Sequence, residues 1–183
     1  MEFRLLRPEE IEIRIGNTIS TSKWQGYSLL LYKNARADMN ILDETVGVEN
    51  WQREHYECKG NLYCRVGIFV EKTNQWVWKS DCGVESNTEK EKGESSDSFK
   101  RACVNWGIGR ELYSAPKNLL IACELDEKGK VPKNEQYRKF YVSEISYTKD
   151  KQINGLTIID GKTGNIVYQK KPKVEVDQST VEV

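Results

Sequence analysis

Between residues 51 and 82 the apolar positions recur every second residue, and that period most constrains how this chain folds. Leu62, Cys64, Val66, Ile68 and Val70 alternate with Tyr63, Arg65, Gly67 and Phe69, the pattern of a strand with one face buried. Lys59-Gly60-Asn61 precedes this run and Lys72-Thr73-Asn74 follows it; both read as tight turns. Residues 51–58 and 75–82 continue the strand-like pattern, with Trp76 and Trp78 on one face. Three successive strands joined by tight turns predict an antiparallel meander.

Beyond residue 90 the period becomes helical. In EKGESSDSFKRACVNWGIGRELY, residues 91–113, Phe99, Ala102, Cys103 and Trp106 fall on one side of a helix, the i, i+3, i+4, i+7 stripe of a buried face. Lys100 and Arg101 lie on the opposite side, and Gly107, Gly109 and Pro116 predict where the helix breaks,. Ser86 with Glu89, and Thr88 with Glu91, have capping-box spacing, so the helix is expected to start before Glu91,. Near the N-terminus, Pro8-Glu9-Glu10 reads as a helix start with Ile11 and Ile15 as its stripe,. Residues 17–26 read as a loop.

A second helix is predicted over 33–46, with Ala35, Met39, Leu42 and Val46 buried, Gly47 as its stop and Arg36 at the edge of its flank,. Downstream, 126–136 reads as an exposed loop, 140–147, 153–159 and 166–168 as strands, and the charged tail from Lys170 as disordered,. The expected fold is α+β: an antiparallel three-stranded meander packed on a long helix (a β-β-β-α core), with an N-terminal helix pair and a C-terminal β extension. The core would occupy 1–125, the extension of the same domain 126–169, and the tail 170–183.

The charges cancel, 28 basic against 28 acidic residues. Indiscriminate affinity for phosphate is therefore not expected, and nucleic-acid contact would need a local groove. The five cysteines are odd in number and show no C-x-x-C spacing, which argues against a disulfide framework or zinc ribbon and for reduced thiols in a cytosolic protein. No apolar stretch is long enough for a signal peptide or membrane span,. His55 reads as a surface residue, and GKTG at 161–164 as a hairpin turn, since it lacks the glycine spacing and following helix of a nucleotide-binding loop,. Asp81, Glu85, Glu89, Glu91, Glu94 and Asp97 could hold Mg²⁺ for a nuclease. The Glu-x-Lys such a core needs occurs only as Glu57-Cys58-Lys59, running into a turn, so capping and hydration are the better account. Trp76, Trp78 and Trp106 follow buried periods, which makes packing their default role,. Lys100 and Arg101 are a candidate phosphate-binding pair, with Asp97 placed to form surface ion pairs instead,.

Arg36 on a helix, then VGVENW, then WVWKSDCG, then EKGESSDSFKRA and WGIGRELY together resemble the Rad-fifty-two/Rad-twenty-two family of single-strand annealing proteins. The closer likeness is to its phage and bacterial branch. It covers residues 34–116, and its most specific element is D-x-x-K-R-A at 97–102. Val104 stands where a basic residue often follows the Lys–Arg pair, and Val48 where eukaryotic members carry an aromatic. The resemblance implies a large ring of subunits with single-stranded DNA held by its backbone in a basic groove. Lys100 and Arg101 would line that groove, Arg36 would face it, and Lys92 would join them. It further implies ATP-independent annealing of complementary strands in homologous recombination and repair, phage or prophage encoded, in the bacterial cytoplasm. No catalytic residue, metal or cofactor is called for; the implied partners are single-stranded DNA, further copies of the chain and a single-strand-binding protein. The rival expectations are a single-strand-coating module without annealing activity and a Mg²⁺-dependent nuclease.

Overall fold

The computed structural model describes residues 1–84 and 90–172. The capping boxes expected at Ser86 and Thr88, and the tail beyond residue 172, lie outside the described residues. A 3-10 turn, Pro8–Glu10, leads into β1 (Ile11–Ser20), β2 (Gln25–Lys33), α1 (Ala35–Val46), β3 (Trp51–Cys58), β4 (Asn61–Val70) and β5 (Gln75–Cys82). There follow α2 (Lys90–Trp106), β6 (Leu120–Ala122), α3 (Lys133–Gln136), β7 (Phe140–Tyr147), β8 (Ile153–Asp160) and β9 (Ile166–Lys170). The strands form three separate three-stranded sheets, β1-β2-β6, β3-β4-β5 and β7-β8-β9.

This corrects the expected architecture. The chain is α+β but mostly strand, built from three small sheets rather than one meander on a long helix; of the expected N-terminal helix pair the second is present as α1, while the first is replaced by β1. Ile11 and Ile15, four apart, suit either a helical stripe or a strand; Ile13 between them completes a period of two, and β-branched residues favour the strand,. The expected loop at 17–26 shrinks to a tight turn. Thr21 Oγ1 accepts from the Trp24 and Lys23 amides at 3.0 and 3.3 Å, and Thr21 N–H donates to Trp24 O at 2.9 Å, which lets β1 and β2 run up to it from both sides. Among the described residues the last strands extend no earlier sheet: β7, β8 and β9 pair only with one another. Residues 126–136, expected as a loop, contain α3.

The contacts divide the chain into two compact units, Met1–Ile11 with Tyr32–Tyr113, and Glu12–Leu31 with Ser114–Val183. In the first, Asn34 caps α1 by accepting from the Arg36 and Ala37 amides at 2.9 and 3.0 Å. Asn34→Ala is expected to lower stability by about 1 kcal/mol, read as a shifted urea midpoint. The residues α1 buries are Ala37, Asp38, Ile41 and Leu42, so its inward face is rotated from the expected one and carries a carboxylate. On α2, Phe99, Ala102 and Cys103 are fully buried. Phe99 stacks on Trp51 of β3 with centroids 6.1 Å apart, and Trp106 Nε1 donates to Val66 O of β4 at 3.0 Å. The helix stops where Gly107 and Gly109 take φ of 103° and 73°, values that favour glycine.

In the second unit, β6 pairs with β2 and sets Ile121 opposite Tyr27. Buried Tyr27 donates its hydroxyl to Glu135 at 2.6 Å. Arg138 binds both Glu135 and Asp160. Asp160 Oδ1 also accepts the Lys162 and Thr163 amides at 2.8 and 2.9 Å. Arg138 is the largest of several influences that hold the Asp160 carboxyl well below the usual carboxylate range. The GKTG stretch is thus the turn between β8 and β9.

Candidate nucleic-acid interface

A lysine buried beside an aspartate fixes the site's centre. Lys33 and Asp38, from the end of β2 and the first turn of α1, are 5% and 0% exposed and form an ion pair. Lys33 Nζ also donates to the main-chain oxygen of Lys100 at 3.2 Å, which ties α2 to the start of α1. Gly109 makes room for this lysine, since a Cβ there would lie 2.4 Å from Lys33 Cε. Burial outweighs the attraction of Lys33 and pushes the Asp38 carboxyl up to about 6. Among the described residues its Oδ2 has no hydrogen-bond partner, and the weak Cys103 thiol is the smallest of the influences that favour its charge,.

Around this pair the structure gathers two of the four expected cations. Lys100 is half-buried, with Nζ 6.0 Å from the centroid of the Tyr32 ring. Arg36 is exposed in the first turn of α1, four residues beyond Tyr32 in the chain. The positive end of α1 adds to their field. Arg101 turns the other way: it is exposed and pairs with Asp81 of β5 at 3.2 Å, not with Asp97. Asp97 instead accepts the Val84 amide at 3.1 Å. Lys92 is exposed near the start of α2. It stands about 12 Å along the axis from Lys100 and half a turn round from Arg101, given 1.5 Å and 100° per residue. Lys92 and Arg101 therefore face opposite sides of α2, and one subunit does not align all four cations.

Two further cations stand near Arg101. Lys79 of β5 donates to Asn105 O at 2.9 Å and lies 4.5 Å over the Trp106 ring. Arg110 donates to Val104 O and Asn105 O at 2.9 and 3.2 Å, closing the end of α2. Sequence reasoning missed both, although a basic residue just past a glycine stop is a known helix-end signal. The Arg101–Asp81 pair is exposed, and such pairs contribute only about 0–1 kcal/mol, so a phosphate can displace the carboxylate at little expense.

Three of the acids considered for a metal serve the fold, while Glu85 and Glu89 lie outside the described residues. Asp81 holds Arg101 and Asn105, Glu94 accepts the Leu62 amide at 3.0 Å, and Asp97 accepts the Val84 amide. Among the described residues no group of three or more His, Cys, Asp or Glu side chains is placed to hold a metal ion. His55 is half-buried rather than a surface residue, its ring nitrogen bonded to Ser95 O and Oγ at 3.1 Å. Trp76 and Trp78 are not core residues: they lie on the face of β5 that carries Ser80, while Asp81 and Lys79 on the other face reach α2. No helix among the described residues is long and apolar enough to cross a membrane. No protein-family model matches the chain, and no curated protein matches it.

Proposed function

We propose that this protein binds single-stranded DNA through its phosphate backbone and anneals complementary strands without ATP, in phage or prophage recombination and repair in the bacterial cytoplasm. The observation that supports the reading is the placement of Arg36 and Lys100 about the Lys33–Asp38 pair, with Arg101 on the opposite flank of α2. Arginine and lysine on rigid elements suit a task whose chemistry is phosphate contact. Because one subunit splits its cations between two sides of α2, a continuous track requires several copies, as in a ring. The same split keeps the coating reading as the alternative, since separate patches can hold a strand without presenting it for pairing.

Labelled complementary oligonucleotides mixed with the protein in EDTA test the proposal. Accelerated duplex formation is expected; binding without acceleration would favour coating, and cleavage that appears only with Mg²⁺ would favour a nuclease.

A further inference from the structure

The sheet β3-β4-β5 has a second face. Cys64, Val66 and Ile68 of β4 are buried on one side, so Tyr63, Arg65, Gly67 and Phe69 point to the other. The register places Tyr56 beside Tyr63, Glu54 beside Arg65, and Trp78 and Trp76 beside Gly67 and Phe69. The rings form ordered pairs: Tyr56 stacks on Tyr63 at 5.5 Å and 22°, and Trp76 contacts both Phe69 at 5.7 Å and Trp78 at 6.2 Å. Gly67 makes this arrangement possible, because a Cβ there would lie 2.8 Å from the Trp78 ring. Yet Trp76 and Tyr56 remain 38% and 37% exposed.

We infer that this face, on the side of the sheet away from α2, is a separate base-stacking platform for single-stranded DNA, with Trp76 and Tyr56 as its contact rings; the inference rests on the reading that the protein binds single strands, not on which cations of α2 meet the backbone. Charge argues for this occupant. The one carboxylate that the described strands place on the face, Glu54, is neutralised by Arg65 at 2.6 Å, and Arg65 lies 4.6 Å over the Trp78 ring. Exposed Lys59 and Lys72, the latter beside Glu71, stand at the turns at either end. Flat π-faces with an arginine and no uncompensated acid fit nucleobases whose charge sits on a neighbouring backbone. A cationic or acidic peptide would need the opposite or a stronger field. Stacking from one side also leaves the Watson–Crick edges of the bases free, as annealing requires.

The test compares a thymidine oligonucleotide with an abasic one of equal length, using the full chain, its Trp76→Ala and Tyr56→Ala variants, and Lys100→Gln with Arg101→Gln. Each platform variant is expected to bind the thymidine strand about tenfold more weakly and the abasic strand unchanged. Quenching of the tryptophan fluorescence is expected with thymidine only. The Lys100/Arg101 variant should weaken on both strands. Unchanged thymidine binding by both platform variants, equal losses on both strands, or a fall in solution mass on substitution (a second copy covering the face) would each overturn the platform. If only the Lys100/Arg101 variant fails to respond, the backbone assignment is wrong and the platform stands; if the wild type binds neither strand, both fall.

Discussion

Changing Lys100 and Arg101 together to Glu is expected to weaken single-strand binding about a hundredfold. Hydrogen bonds to charged groups are worth on the order of 1.5 kcal/mol each at the low end, and two such losses compound to about two decades. Repulsion of the phosphates by the new carboxylates adds to this. Both side chains lie off the buried stripe of Phe99, Ala102 and Cys103, so the helix should persist. Lys100 nevertheless stands close enough to Asp38 to stabilise its charge, and Arg101 neutralises Asp81, so some loss of stability accompanies the reversal. The double Gln variant separates the effects: it should keep most of the stability and still lose about tenfold or more in affinity. Circular dichroism confirms folding, and fluorescence anisotropy of a labelled oligonucleotide reads affinity.

Asp38→Ala is expected to destabilise the protein by about 3–5 kcal/mol, because it leaves Lys33 charged and buried with only the Lys100 carbonyl for company,. Replacing both partners, Lys33→Met with Asp38→Leu, should come close to neutral, since two desolvation penalties vanish together. The pH dependence has a definite sign. Burial raises the folded-state value of Asp38 from an ordinary 3.8 to about 6, so between these values the folded state binds the extra proton. The stability this group contributes is fully present below 3.8 and is lost as pH rises through about 6. Urea titrations of wild type and Asp38→Asn across pH 4 to 7 should therefore diverge in that window. Parallel curves would show that Asp38 does not titrate there.

The coupling between this pair and the interface explains why both results matter together. Lys33 grips the carbonyl of the very residue whose side chain is assigned to phosphate. A variant that loosens the pair can shift α2 against α1 and weaken DNA binding without touching a DNA contact.

Local periods were legible in the sequence; their assembly was not. Leu62 to Val70 alternate as strands do, and β4 spans them. Phe99, Ala102 and Cys103 lie at helical spacing and are buried. A period states which residues share a face, not whether anything covers it, which is why Trp76 and Trp78 read as core from their alternation. Ile11 and Ile15 misled because a separation of four suits both periods, and the architecture of the N-terminal region followed that choice. Asp38 was missed because an acid in the first turn of a helix ordinarily faces water and the dipole; only the three-dimensional approach of Lys33 makes its burial tolerable. For the proposed interface, the family resemblance named Arg36, Lys92, Lys100 and Arg101 but not their directions, and it could not show Arg101 engaged with Asp81 across 20 residues.

The salt dependence of oligonucleotide binding tests the phosphate assignment most directly. Single substitutions of Arg36, Lys92, Lys100 and Arg101 to Gln are compared with wild type in plots of log affinity against log salt concentration. For each residue that meets a phosphate the slope should flatten by about 0.7. Four folded variants with the wild-type slope would contradict the account.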